Sequence, residues 1–270
     1  MILTLSDLEL IQHKFLGGHD ITIIPLSDVH LGAEECMEQE FISFINSVKE
    51  TPNVYLALGG DLIDNGTRNG VTNVFRATMP PSQQKKEMAN ILKPVADRIL
   101  CFVTGNHERR SGKDADDDPV YDVAAKLDLE HLYRENIAFV KIQMGNPETD
   151  NRKTNNSAKR PTYTLAITHG SGGGALTGAA VNRNERFGYA IDGVDILIVG
   201  HTHKPFSTQP GKIKVDPQNN RVSVKPFRVI SSTSWLKWGG YAAQKMLLPS
   251  SHCLHTITLR GNKKEIVVTM

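Results

Sequence analysis

Residues 21–30 read Ile21-Thr22-Ile23-Ile24-Pro25-Leu26-Ser27-Asp28-Val29-His30. An apolar, β-branched run of this length suits a strand buried on both faces. It stops abruptly at two residues able to do chemistry, Asp28 and His30. The pattern recurs downstream. Val54–Leu58 ends in Gly59-Gly60-Asp61, and Ile99–Val103 ends in Thr104-Gly105-Asn106-His107-Glu108. Residues 163–167 end in Thr168-His169-Gly170, and Ile196–Val199 ends in Gly200-His201-Thr202-His203.

Between the first three runs the apolar period changes from two to helical. Phe41, Phe44, Ile45 and Val48 predict a helix over Glu38–Glu50. Met88, Ile91, Leu92 and Val95 predict another over 82–98, kinked or split at Pro94. Strand alternating with helix implies a largely parallel α/β core whose ligands bind beyond the carboxyl ends of the strands. All five polar tips sit at such ends, so they are expected to converge on one site. Runs at 212–215, 221–224, 255–259 and 265–269 predict C-terminal strands separated by turns at 216–220 and at Gly261-Asn262. These strands are expected to form a second sheet packed on the first, within a single domain covering residues 1–270. The polar stretch 145–161 reads as an exposed excursion.

Composition narrows the class. With 39% hydrophobic and 22% charged residues among 270, the chain can bury a sizeable core without staples, so a metal would serve chemistry rather than folding. A net charge of +2 exerts no strong pull on nucleic acid as a whole. Cys36, Cys101 and Cys253 are odd in number and lack CxxC spacing, which excludes a thiolate zinc site and points to a reducing compartment. Met1 to Asp20 lacks the apolar stretch of a signal peptide, and the apolar runs are too short to cross a bilayer. A cytoplasmic location is expected, with no membrane association and no obligate protein partner.

The tips supply Asp28, His30, Asp61, Asn106, His169, His201 and His203. These nitrogen and oxygen donors, without thiolate, suit divalent Mn, the first candidate, or Fe, Zn, Co or Ni rather than a soft metal. So many ionisable groups buried together would be costly without cations to compensate them.

Asp28-x-His30, Gly60-Asp61, Gly105-Asn106-His107-Glu108, His169-Gly170 and Gly200-His201-x-His203 together resemble the calcineurin-like metallophosphoesterase signature, in the family's order. The resemblance implies an α/β fold: a four-layer sandwich of two mixed β-sheets flanked by helices. It implies that Asp28, His30 and His203 hold one metal, that Asn106, His169 and His201 hold the other, and that Asp61 bridges them. Two cations about 3.5–4 Å apart would activate a bridging hydroxide for attack on phosphorus. By the same likeness His107 would assist the leaving group, oriented by Asp64, these two forming the catalytic pair. Protein-phosphatase relatives carry a phosphate-binding arginine where this chain has Asn65, which puts that activity in doubt; Arg68, Arg109 and Arg110 are candidate substitutes.

Other signals weigh less. Gly170-Ser171-Gly172-Gly173-Gly174 lacks the Gly-Lys-Ser/Thr of an ATP-binding loop and reads as a flexible loop or gate beside His169. Residues 182–186 read equally as a contact to substrate phosphates or a solvated helix start, and the acidic run 114–118 as an exposed loop without calcium-loop spacing. Trp235 and Trp238 read as core or sheet-edge residues.

The expected function is dimetal-dependent hydrolysis of phosphate mono- or diesters, nucleotides included. The alternative is a metal-dependent nuclease of the family's DNA-repair branch, using Lys153, Lys159, Arg160 and Arg183 as a basic strip. Asp64 favours the first reading, because nuclease relatives tend to carry histidine there. An inactive binding scaffold is disfavoured because no ligand position is lost.

Overall fold

The computed structural model describes residues 4–67, 74–145, 161–174 and 176–270. The chain runs β1 (Ile11–Phe15), β2 (Ile21–Leu26), α1 (Glu38–Glu50), β3 (Val54–Leu58), α2 (Pro81–Leu92) and β4 (Ile99–Val103). It continues through α3 (Arg109–Ala115), α4 (Pro119–Ala125), β5 (Tyr133–Arg134), β6 (Ile137–Met144), β7 (Thr162–Thr168), α5 (Thr177–Ala190) and β8 (Ile196–Val199). The last third holds β9 (Phe206–Thr208), β10 (Gly211–Asp216), β11 (Arg221–Pro226), β12 (Arg228–Ser231), α6 (Gly240–Gln244), β13 (Thr256–Leu259) and β14 (Ile266–Thr269).

Two six-stranded sheets carry the fold. One has the order β14-β13-β2-β3-β4-β5 and the other β1-β6-β7-β8-β12-β9. Both are mixed: β2 to β5 run parallel while β13 joins β2 antiparallel, and β7, β8 and β12 run parallel while β9 joins β12 antiparallel and β6 pairs antiparallel with β7 and parallel with β1.

Alternation along the strands builds the layers. Leu165, Ile167, Ile196, Ile198 and Ile230 enter the large core that also holds Ile23, Leu56 and Phe102 of the opposite sheet. Their chain neighbours Ala166, Leu197, Val199 and Val229 face the other way, into a smaller cluster with Ala180 of α5 and Phe227. On the far side of the first sheet, α1 buries Phe41, Ile45 and Val48. The order helix, sheet, sheet, helix is the four-layer sandwich. Helix α2 starts on Pro81 and gives way after Leu92 to a 3-10 segment, Lys93–Arg98, where Pro94 has no N–H for the ladder.

One expectation is corrected. The C-terminal strands do not make the second sheet: β13 and β14 extend the first, and β10 and β11 form a separate two-stranded hairpin. That hairpin leaves Ile213, Val215, Val222 and Val224 exposed. The second sheet recruits β1, β6, β9 and β12, which sequence reading passed over. An apolar run reports burial on both faces but does not name the strand it pairs with.

Candidate metal centre

Strands β2, β3 and β4 from one sheet and β7 and β8 from the other end at a common edge, and their tips close the site. The turns are sharp. Asp28, His30, Asp61, His201 and His203 all adopt left-handed φ, between 50° and 68°. Such conformations are uncommon outside glycine, though Asp, Asn and His tolerate them best, and each costs on the order of 1 kcal/mol. Main-chain bonds hold the strain: Asp28 N–H donates to Gly60 O and His30 N–H to Asp61 O, both at 3.0 Å.

The structure brings the seven sequence-derived metal ligands together. Asp28, His30 and His203 present donor atoms within 4.8 Å of one another, and so do Asp61, His169 and His201. His203 Nε2 lies 3.2 Å from Asp28 Oδ1 and 3.4 Å from His30 Nε2. Asn106 Oδ1 stands 2.9 Å from His169 Nε2 and 2.6 Å from His201 Nδ1. Asp61 Oδ2 lies between the groups, 3.2 Å from His169 Nε2 and 3.7 Å from His30 Nε2.

Electrostatics explains what this set can do. Burial alone would raise Asp28, but the His203 and His169 rings hold its carboxyl down, at about 2. Burial would likewise raise Asp61, yet His169 and His107 keep it well below the carboxylate range. Burial would depress His169, and the Asp61 and Asp28 carboxylates instead lift it to about 9. Burial and the neighbouring His107 hold His30 low; burial and His169 do the same to His201. Two neutral imidazoles and two carboxylates therefore face inward, and the inward nitrogens of His169 and His201 approach to 3.3 Å with a carboxylate alongside. The Nδ1 of His30 is buried without a partner. This donor set fits two divalent cations, which would separate the facing nitrogens and neutralise the carboxylates.

Beside these donor groups, His107 Nδ1 donates to the Asp64 main-chain oxygen at 2.8 Å and lies 3.2 Å from Asp64 Oδ1. Its Nε2 is 3.9 Å from Asp61 Oδ2. Burial opposes charge on His107, but Asp61 and Asp64 win and raise it.

Several supporting residues escaped sequence reading. Glu108 is fully buried and accepts main-chain N–H bonds from Asp61, Leu62, Ile63 and Gly105, tying the β3 and β4 tips together. Burial and the Asp61 charge push it up to about 7. Gly59 O accepts from His169 Nδ1 at 2.8 Å and thereby directs Nε2 into the site. Ser27 joins Asp28 Oδ2 to Ser232, 205 residues away in the chain, a link no local signal announces.

Other candidates are reassigned. Arg109 donates to Glu135 O and Asn136 Oδ1, away from the ligands, whereas the charge of Arg110 reaches His107. Arg183 lies inside α5, not at a helix start, and its guanidinium binds the carbonyls of Ser171, Gly172 and Gly173. Lys204 binds Gly174 O, so the glycine loop is tied at both ends. The acidic run is no open loop: α3 extends to Ala115, and Asp118 caps α4 by accepting from Tyr121 N–H. Trp235 is buried against Phe41 and Phe44, while Trp238 is exposed. Arg68, Lys153, Lys159 and Arg160 lie outside the described residues.

Comparison with known proteins accords with this geometry. Residues 21–205 match the family model described as calcineurin-like phosphoesterase. Among solved structures, a conserved Streptococcus pneumoniae protein described as a predicted phosphoesterase aligns at 11% identity and TM-score 0.35. That alignment covers 92% of this chain and 88% of the other. The NAD nucleotidase of Haemophilus influenzae aligns at 10% identity and TM-score 0.44, over 93% of this chain and 49% of its own. Similarities this loose carry no inference about substrate. No curated protein sequence matches the chain.

Proposed function

The chain belongs to the calcineurin-like phosphoesterase family and is a hydrolase of phosphoric esters; from that premise we propose a dimetal phosphoesterase acting on small phosphate mono- or diesters, nucleotides included. Asp28, His30 and His203 would hold one divalent cation, Asn106, His169 and His201 the other, with Asp61 shared; manganese is the first candidate. The observation that carries this reading is the pair of donor groups, with Asp61 Oδ2 3.2 Å from His169 Nε2 of its own group and 3.7 Å from His30 Nε2 of the other. When bound, the cations supply Lewis-acid polarisation of the phosphoryl group and a water nucleophile at neutral pH.

The remaining work falls to the chain. Asp64 holds His107 by Nδ1, which leaves Nε2 on the metal side to hand a proton or hydrogen bond to the leaving oxygen. Arg110, whose charge is felt at His107, is a candidate to meet a substrate phosphate. We read residues 1–270 as one folding unit, because a single core runs from Ile11 to Leu259 and takes residues from both sheets.

The test compares hydrolysis of bis-p-nitrophenyl phosphate, p-nitrophenyl phosphate and single-stranded DNA after reconstitution with manganese and, in parallel, iron, zinc, cobalt and nickel. Turnover of either small ester, abolished by His169→Ala, is the expected result. Cleavage of DNA alone would replace this reading with the nuclease. Two bound metals and no turnover of any substrate would count for the scaffold.

A further inference from the structure

The tip after β3 departs from the protein-phosphatase pattern at Asn65, and its surroundings are unlike those of a phosphate-binding cation. Asn65 has no exposed surface. It sits at φ +46°, a left-handed conformation that asparagine and glycine adopt at least cost. Its Nδ2 donates to the main-chain oxygens of His107 at 2.9 Å and Glu108 at 3.2 Å. The Ser111 hydroxyl lies 2.7 Å from Nδ2 and donates to Oδ1 at 3.0 Å. Its own N–H donates to Gln84 Oε1 of α2 at 2.9 Å.

The residue directly after Asp64 therefore grips the peptide of the residue whose ring Asp64 holds. The His107 N–H already donates to Asp61 Oδ1 at 2.8 Å and Asp64 holds the ring at Nδ1; the Asn65 amide adds the hold on the His107 carbonyl that fixes the other side of this residue. We propose that Asn65 is a positioning residue for the leaving-group step, aiming His107 Nε2 by clamping the His107 and Glu108 carbonyls against the Asp64 turn. The proposal rests on the reading of His107 as the leaving-group donor. It also gives Asn65 a role in place of the absent arginine: the side chain faces the interior and serves a histidine rather than a phosphate.

Asn65→Gly keeps the left-handed backbone and removes only the amide. The full chain, manganese-loaded, is assayed on aryl esters of the class it hydrolyses, graded from p-nitrophenyl to phenyl, with metal content measured alongside. Support for positioning from a neighbouring shell is worth about 10–100-fold, so kcat for the phenyl ester should fall by about that factor. The p-nitrophenyl ester, whose leaving group needs little help, should lose less than about 3-fold. KM and metal content should stay within about 2-fold, and His107→Ala should show the same selectivity at larger amplitude.

A second readout needs no activity. In metal-free protein the His107 Nδ1 proton, identified by its loss in His107→Ala, should give a resolved NMR resonance that broadens in Asn65→Gly. If Asn65→Gly does not fold, Ser111→Ala is read the same way with a smaller, still selective, loss. A loss uniform across esters, a loss of metal, or no change would overturn the inference. Leaving-group selectivity absent even in His107→Ala would sink the reading of His107 and the inference with it. Selectivity present in His107→Ala but absent in Asn65→Gly would sink the inference alone.

Discussion

At the scale of the residue, Asp64 holds His107 through two atoms of different kinds. The carboxylate can be removed by substitution, but the main-chain oxygen 2.8 Å from Nδ1 cannot. Asp64→Asn should therefore lower kcat by about 10-fold rather than the larger losses seen when an orienting group acts alone. If Asp64 only orients His107, metal content should remain nearly intact, although its carboxylate forms a third donor group with His30 and His107, apart from those that contain Asp28 and Asp61. Elemental analysis of the purified variant decides it: loss of metal would show that Asp64 is a ligand and refute the orienting role. Asp64 was singled out through the family resemblance, whereas Asp28, Asp61 and His107 were legible because each stands in the polar tip after an apolar run. Glu108 and Ser232 were not, since one works through four backbone N–H groups and the other through a contact across 205 residues.

At the scale of the element, the site depends on how closely the strand tips approach. A Cβ on Gly105 would collide with both the side chain and the main-chain nitrogen of Asp61, and Gly60, at φ +86°, packs against the Gly105 backbone. Gly105→Ala must displace Asp61, whose Oδ2 lies 3.2 Å from His169 Nε2 and 3.7 Å from His30 Nε2. Metal affinity measured by titration should fall at least about 10-fold, and the melting temperature of the metal-loaded protein should fall with it. Gly178 of α5 is the control: a Cβ there meets nothing, and alanine in a helix should stabilise by about 0.4–1 kcal/mol. Unchanged affinity in Gly105→Ala would show that the tips can separate without cost. The strands and helices around these tips were readable from period and punctuation, down to the split of a helix at Pro94. The short strands β5 and β9 were not, because two or three residues are too few to show a period.

At the scale of the whole molecule, stability and metal binding are linked through protons. His169 is raised above its ordinary 6.5 to about 9 by Asp61 and Asp28, against the opposing effect of burial. Its charged form thus contributes stability that is fully present below pH 6.5 and lost as pH rises through about 9. Glu108, raised from 4.5 to about 7, acts with the same sign over a lower window. Asp28 and Asp61 are held low and matter only as pH falls below their ordinary 3.8. The metal-free protein should therefore melt at a lower temperature at pH 9 than at pH 6.5. Bound metal replaces the His169 proton, so manganese affinity should rise over the same interval. Melting curves with chelator or manganese at both pH values test this. A metal-free midpoint that rises toward pH 9 would contradict the charge balance assigned to the site. No helix among the described residues is long and apolar enough to cross a membrane.

The chain alone determined the strand runs, their polar tips, the donor types and the family, because these are local properties: period two against helical period, and chemistry placed directly after each run. Which strands share a sheet was decided only in three dimensions. β7 and β8 turned out to belong to the sheet opposite β2, β3 and β4, and β13 and β14 to the first sheet's edge. Hydrogen-bond partners across a sheet leave no mark on local sequence, since every buried strand asks for the same apolar side chains. The role of Asn65 was hidden for the same reason. A buried amide reads as a polar turn residue until the carbonyls it holds, some forty positions further along, are brought against it.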